Sequence, residues 1–202
     1  MKIASYVFFD IETTGLPYQE RNQTKITELS FVAASRNDLK KAPIGKKPYV
    51  SKLILLFNPQ RRIHPDSSAI TGLTNEMLKN APIFGDKAGT IISFLNFSLE
   101  NWIKNDFSFP SDVDPFVSPQ ISVNTLSPKK RCVKKETVKV KLSFKLTDLY
   151  KRLLHKKVAI AHRAEDDCMM LLECVVAEKE FLIWTDKHCK SIHDIKPLVR
   201  YG

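Results

Sequence analysis

The strongest constraint on this chain is an apolar run near its start that leads directly into two carboxylates. Residues 6–9 are Tyr-Val-Phe-Phe, a run typical of a buried strand, and Asp10 and Glu12 follow. Side chains two positions apart on a strand point to the same face, so Asp10 and Glu12 should project together. Two neighbouring carboxylates suit a hard divalent cation such as Mg²⁺ or Mn²⁺. The alternative is an ordinary pair of acids on a solvated face.

A second acidic segment lies far along the chain. His162 precedes Glu165, Asp166 and Asp167, and a largely apolar run over 168–177 follows, interrupted only by Glu173. The length of that run and its lack of Pro and Gly predict a buried helix that begins near the acids. Acids are favoured near a helix N-terminus by the helix dipole, which is the alternative explanation for them. A structural, hydrogen-bonded histidine is the corresponding alternative for His162.

Taken together, the two segments resemble the DEDDh class of 3′-to-5′ exonucleases, and most closely the three-prime repair exonuclease (TREX) family. The resemblance rests on Asp-x-Glu-Thr-x-Gly-Leu at 10–16 and His-x-Ala-x-x-Asp at 162–167. Residues 27–33, 68–74, 143–150 and 195–202 are also similar to family segments. The resemblance implies an α/β fold of the RNase H-like (DnaQ-like exonuclease) type, with a mixed sheet flanked by helices.

The resemblance also implies roles for particular residues. Three acids would bind two Mg²⁺ (or Mn²⁺) ions that activate water and stabilise the leaving 3′-oxygen, namely Asp10, Glu12 and Asp167. His162 would act as the general base, a task that its ordinary pKa near 6.5 suits. The terminal nucleotide would be bound by Glu12, Thr13, Leu16, Ile70 and Asp167. For Leu16 and Ile70, packing in the core is an equally good interpretation.

One departure from the family concerns the third of its four acids. That acid belongs to a middle segment shaped like Ala-His-Asn-Gly-x-x-Tyr-Asp, which the chain lacks, and a deletion near Asn96 would explain the loss. We therefore expect one strand and part of a helix to be missing. Asp106, Asp112 and Asp114 are the nearest substitutes, but none has a spacing that places it in the site. Three hypotheses follow: a DNA 3′-exonuclease, a catalytically impaired nucleic-acid-binding variant, and an RNA-trimming enzyme of the same class.

The charge of the chain is concentrated in one region. Residues 129–157 contain twelve Lys and Arg against two acids, in a chain whose net charge is +10. A basic loop of this kind could hold phosphates, although most charge runs are simply solvated. We expect one domain over 1–202 with an irregular basic insertion at about 107–141, and no membrane span, signal peptide or disulfide. Expected partners are 3′ ends of DNA, preferably single-stranded, with a homodimer possible, in the cytoplasm or nucleus.

The pattern of apolar residues predicts the order of elements. Strands are expected at about 5–11, 26–35 and 50–57, with a basic hairpin connection at 36–47 and a turn at 67–73. Helices are expected at 75–79, 87–96, 144–154, 164–178 and 179–188. Trp184 is expected to pack inward, and Phe144 and Tyr150 are expected to lie in the core.

Overall fold

The computed structural model describes residues 2–106, 143–158 and 162–190, with the side chains of 99–106 excepted. Several predictions lie outside this part of the chain. They concern the basic insertion, the similarity at 195–202, and the substitute acids Asp112 and Asp114. Asp106 ends a helix, but its side chain is also outside the described residues.

The predicted strands form an antiparallel sheet in the order β1-β2-β3. Strand β1 is Ser5–Thr13, β2 is Ile26–Ser35 and β3 is Ser51–Leu56, so all three strand predictions are confirmed. In the register of β1 and β2, Asp10 lies opposite Ser30 and Glu12 lies opposite Glu28. The pairing shifts between Glu12 and Thr13, which ends the regular ladder directly after the two acids.

Seven α-helices and one 3-10 helix, Phe84–Lys87, accompany the sheet in the described residues. In chain order they are α1 Arg36–Lys41, α2 Pro65–Thr71, α3 Asn75–Leu78, α4 Ala88–Asp106, α5 Leu146–Leu154, α6 Ala164–Ala177 and α7 Glu180–His188. Within the described part of the chain, no helix is both long and apolar enough to cross a bilayer. Helices on an antiparallel sheet confirm the predicted α/β class.

Helix α6 covers the face of the sheet that carries the two acids. Its buried residues include Cys168, Leu172 and Val176, which share one core cluster with Phe8 and Val32 of the sheet. Phe8 precedes Asp10 by two positions and therefore lies on the same face of β1. Burial of this apolar face is the main force that holds α6 against β1, and it brings the start of α6 beside the acids.

Two predicted connections contain short helices that were not expected. The connection at 36–47 does join the antiparallel pair β2 and β3, as a hairpin connection should, but it begins with α1. The turn predicted at 67–73 was wrong, because Pro65–Thr71 forms α2. Ser35 caps α1, because its hydroxyl accepts a hydrogen bond from the backbone N–H of Asp38 at 3.0 Å. Helix α2 starts with Pro65 and ends at Gly72, whose φ of 73° is the left-handed conformation of a helix C-cap. These capping signals are local and were present in the sequence.

Three other expectations need correction. Helix α4 extends to Asp106, ten residues beyond the predicted end at 96. Trp184 is 55% exposed and stacks between Phe181 and His188 on the surface of α7 instead of packing inward. Phe144 is exposed beneath the guanidinium of Arg152, whereas Tyr150 is buried as predicted. Stacking on neighbours in sequence lets these surface rings lose part of their contact with water without entering the core.

Candidate metal centre and active site

Three acids from opposite ends of the sequence converge at one point. Asp10 and Glu12 project from β1, and Asp167 projects from the first turn of α6. One carboxylate oxygen of each lies within 4.8 Å of the others. The prediction that these three residues come together agrees with this geometry. All three are half-buried, so each carboxylate has lost part of its hydration while remaining open to an ion or a ligand.

The electrostatics of the cluster indicate a shortage of positive charge. The pKa of Glu12 is raised to about 7, first by burial and then by the charges of Asp10 and Asp167. Burial and the charge of Asp167 also raise the pKa of Asp10. A divalent cation would relieve this repulsion, and a set of carboxylate oxygens is the donor set that Mg²⁺ and Mn²⁺ prefer. The residues present therefore fit such an ion.

His162 lies at the edge of this cluster. Its backbone N–H donates a hydrogen bond to the carboxylate of Asp167, which lowers the pKa of that carboxyl against the larger raising effect of burial. The backbone of His162 is in the left-handed region, with φ of 70°, and its side chain is exposed. Non-glycine residues rarely adopt this conformation, so the backbone of His162 is locally strained where it forms the hydrogen bond to Asp167. The structure thus brings His162 beside the acids, and its role as a base remains a prediction.

The residues predicted to bind substrate lie around the end of β1. Leu16 and Ile70 are 51% and 55% exposed, so the alternative of core packing is wrong for both. The turn that carries Leu16 and the helix that carries Ile70 are hydrogen-bonded to each other. The backbone N–H of His64, just before α2, donates to the carbonyl oxygen of Thr14 at 2.7 Å. The hydroxyl of Thr13 donates to the carbonyl oxygen of Gly15 at 3.1 Å and helps to shape the turn. Contact of these residues with a nucleotide remains a prediction.

An ion pair beside the site was missed by the sequence analysis. Glu28 of β2 is only 1% exposed and lies opposite Glu12. Its carboxylate accepts hydrogen bonds from Nε and Nη2 of Arg163, at 2.9 and 2.7 Å. The signal was an ionisable residue inside an apolar strand, which requires a partner when it is buried. The partner could not be identified, because it lies 135 positions away.

Glu28 also takes the place of a helix cap. Arg163 occupies the N-cap position of α6 but makes no capping bond with its side chain. Glu28 instead accepts a hydrogen bond from the backbone N–H of Ala164 at 3.1 Å. One carboxylate therefore fastens the start of α6 to β2. Because Asp167 lies in this first turn of α6, the anchor sets its position relative to Asp10 and Glu12.

The turn after β1 is organised around a second buried acid. Glu20 accepts a hydrogen bond from the hydroxyl of Thr14 at 2.6 Å and lies 3.5 Å from the guanidinium of Arg61. A Cβ added at Gly15 would lie 3.1 Å from the side chain of Glu20, closer than ordinary packing allows. The absence of a side chain at Gly15 therefore lets Glu20 fold beneath the turn that carries Thr13 and Leu16.

Comparison with known proteins identifies the class of the chain. Residues 7–175 match the family model described as Exonuclease (RNase T type), and the chain therefore belongs to this exonuclease family. The match includes both acidic segments. Enzymes of this family are hydrolases that use divalent metals, which agrees with the acidic cluster.

The relatives confirm the predicted resemblance to the TREX family. The chain is 28% identical to three-prime repair exonuclease 1 of Homo sapiens, over 97% of this chain and 70% of that protein. It is 26% identical to three prime repair exonuclease 2 of Mus musculus, over 96% of this chain and 92% of that protein. The first alignment extends over 226 positions, more than the 202 residues of the chain, so it must open gaps in this chain.

Solved structures confirm the predicted fold class. A full-length 3′-exonuclease superposes with a TM-score of 0.56 at 10% identity, over 90% of this chain and 62% of that one. The chain thus spans less than two thirds of that protein. The nuclease domain of 3′hExo, a DEDDh family member bound to rAMP, gives a TM-score of 0.53 at 13% identity, over 88% of this chain and 92% of that one. At these identities the likeness concerns the RNase H-like fold alone.

Proposed function

We propose that the chain is a metal-dependent 3′-to-5′ exonuclease that releases nucleotides from the 3′ ends of DNA. The observation that supports this most directly is the convergence of Asp10, Glu12 and Asp167, with His162 at the edge of the cluster. The named relatives act at 3′ ends of nucleic acid, and two of them are three-prime repair exonucleases. We extend that activity to this chain because both acidic motifs and their geometry are present.

Each residue then has a distinct task. Asp10, Glu12 and Asp167 would hold two Mg²⁺ ions, which supply charge stabilisation and an activated water to the reaction. The exposed imidazole of His162 would accept a proton from the attacking water, while its backbone N–H holds Asp167 in place. Leu16 and Ile70 would contact the terminal sugar or base with their exposed apolar surfaces.

A second candidate function is nucleic-acid binding with impaired turnover. It is favoured by the lack of the middle segment with the third acid, and the gaps in the alignment with the human relative agree with that loss. With three carboxylates instead of four, binding of the second ion would be the weaker of the two. An RNA-trimming activity is a third alternative within the same class.

The remaining expectations concern the partners. Single-stranded DNA would enter the site most readily, because a 3′ nucleotide must be unpaired to reach the acids. The basic stretch 129–157 would add contacts to phosphates that weaken steeply with salt. A homodimer, and a location in the cytoplasm or nucleus, are further proposals based on the relatives.

The test measures release of 3′ nucleotides from labelled single-stranded DNA with Mg²⁺. We expect release by the unaltered protein and none by Asp10→Asn, which removes one charge of the cluster at nearly constant volume. Glu180→Gln, at an exposed acid of α7, is the matched control and should retain activity. Binding without release by the unaltered protein would support the impaired variant instead. Equal release by Asp10→Asn would refute a metal-dependent mechanism at this cluster.

A further inference from the structure

Two adjoining cavities lie on the side of the turn that follows β1. One has a volume of about 350 Å³ and the other about 610 Å³. Both are lined by the same four residues, so they form one continuous depression, called the basic cleft here: Thr24, Lys25, Pro59 and Gln60. None of the predicted metal or substrate residues lines either cavity. The basic cleft is therefore separate from the acidic cluster.

The two halves of the basic cleft differ in chemistry. The smaller half is lined by apolar side chains, including Ile26, Ile83 and Phe84. The ring of Phe84 is 45% exposed and is held by Phe57, with 5.3 Å between the ring centres. The larger half is lined by cations and amides, including Lys25, Arg61, Arg62 and Gln23. No acidic residue lines either half, which is the composition that suits an anionic ligand with a flat apolar part.

The cations of the basic cleft are not equivalent. Arg61 is engaged, because its guanidinium lies 3.5 Å from Glu20 and also donates to the carbonyl oxygen of Gln23. Lys25 and Arg62 are exposed, and neither makes an ion pair with any residue that the structure describes. Arg61 thus stiffens the wall of the basic cleft, while Lys25 and Arg62 are available to an anion from outside.

The basic cleft is connected to the active site through a short stretch of backbone. The N–H of Thr14 donates to the carbonyl oxygen of Lys25 at 2.9 Å, and the N–H of Lys25 donates to the hydroxyl of Thr14 at 3.1 Å. Thr14 follows Glu12 by two positions. A strand whose 3′ end lies at the acids would therefore need only a few nucleotides to reach Lys25.

We propose that the basic cleft binds the part of the nucleic-acid strand upstream of its 3′ end. Phosphates contact Lys25 and Arg62, and one base stacks on the exposed ring of Phe84. Single-stranded nucleic acid is bound in this way by proteins that combine a cationic groove with an aromatic platform and do not read sequence. The inference rests on the proposed function only in taking the substrate as a nucleic-acid strand. It adds a second point of contact, which makes affinity depend on strand length.

The test measures binding of a fluorescein-labelled oligothymidylate of about twelve nucleotides by anisotropy. All proteins carry Asp10→Asn, so that the strand is not degraded. We expect Lys25→Glu with Arg62→Glu to weaken binding at least tenfold. The logarithm of the binding constant falls linearly with the logarithm of the salt concentration, and each phosphate contact to a single strand contributes roughly 0.7 to the slope. Loss of two contacts should therefore make this slope less steep by about 1.4. Phe84→Leu, which keeps an apolar neighbour for Phe57, should weaken binding several-fold without changing the salt dependence.

The matched control is Lys187→Glu with Lys190→Glu, which makes the same charge change at exposed lysines that line neither cavity. It should bind nearly as the parent does. Equal weakening by the control and by Lys25→Glu with Arg62→Glu would overturn the proposal, because net charge alone would then explain the effect. An unchanged affinity in the cleft variants would also overturn it.

A second measurement separates the basic cleft from the exonuclease activity. In protein that retains Asp10, the cleft variants should raise the KM for the long oligonucleotide but leave the KM for a dinucleotide unchanged. A dinucleotide has a single internucleotide phosphate, which must lie at the acids to be cleaved, so none remains for Lys25 and Arg62. If the unaltered protein releases no nucleotides, but the cleft variants bind the oligonucleotide more weakly than their parent does, the proposed function fails and the basic cleft stands. If it releases nucleotides and the KM is unchanged in these variants, the basic cleft fails alone.

Discussion

At the residue scale, the acidic cluster depends on how the surroundings change the titration of each carboxyl. Asp10, Glu12 and Asp167 all have raised pKa values, with burial as the first cause for each. An acid whose pKa is higher in the folded protein than in the unfolded chain binds its proton more tightly when folded. Folding is therefore favoured at a pH where the proton is bound, and the cluster opposes folding once it is ionised without a cation.

This effect predicts the pH dependence of stability for the metal-free protein. Glu12 has a pKa of about 7 when folded, against 4.5 for an ordinary glutamate. Its contribution to the free energy of unfolding should fall as pH rises from 4.5 to 7 and then level off. Glu12→Gln, which imitates the protonated form, lacks this contribution. Urea unfolding in a chelating buffer should show the variant gaining stability relative to the unaltered protein across that window, and a constant difference would contradict the prediction.

At the element scale, the position of α6 depends on both its apolar face and its fixed start. Leu172 and Val176 bury the helix against the sheet, which limits its distance from β1. Glu28 holds its first turn through Arg163 and the backbone of Ala164. Apolar packing is not directional, whereas three hydrogen bonds to one carboxylate define a position along the strand.

We therefore predict that Glu28→Gln weakens both folding and ion binding. The amide cannot accept three hydrogen bonds, and Arg163 loses its counter-charge. Breaking a buried pair costs about 3–5 kcal/mol, and we expect roughly 2 kcal/mol here because the side chain of Arg163 is 37% exposed to water. Urea unfolding and Mn²⁺ titration measure the two effects.

The control for this prediction is Glu165→Gln, in the first turn of α6, which is the turn that Glu28 holds from β2. Glu165 pairs with Lys52 at 2.8 Å, and both side chains are about one third exposed. A pair of this kind contributes at most about 1 kcal/mol. Affinity for Mn²⁺ should be nearly unchanged in this variant. If both variants lose stability and affinity equally, Glu28 has no special role as an anchor.

At the scale of the whole molecule, the acids link two distant parts of the chain, so an ion bound there would stabilise the fold. An ion that binds only the folded protein adds about 2.7 kcal/mol at a concentration one hundred times its dissociation constant. We predict that Mg²⁺ or Mn²⁺ raises the melting temperature at pH 7.5 in a concentration-dependent way. Asp167→Asn should lose most of the rise, whereas Asp86→Asn, at an exposed acid, should retain it. A rise of equal size in both variants would place the binding elsewhere.

Much of the fold follows from patterns within single segments. Strand β2 was predicted at its observed bounds, because six of its ten residues are apolar and neither Pro nor Gly interrupts it. Helices α6 and α7 were predicted to within one or two residues. The short helices α1 and α2 were missed, because six or seven residues are too few for a period of 3.6 to be distinguished from a loop. Their caps, Ser35 and Gly72, were the better signal.

The sequence by itself determined that Asp10 and Glu12 share one face of a strand, and that Asp167 begins a buried helix, because side-chain direction repeats with a short, fixed period. Only the tertiary structure decided which partners the buried charges find. Glu173, the one acid in the apolar part of α6, accepts hydrogen bonds from Tyr150 at 3.1 Å and from Lys156 at 2.7 Å. Glu28 finds Arg163 across 135 positions. Such pairs depend on how separate elements pack, and local sequence carries no information about that packing.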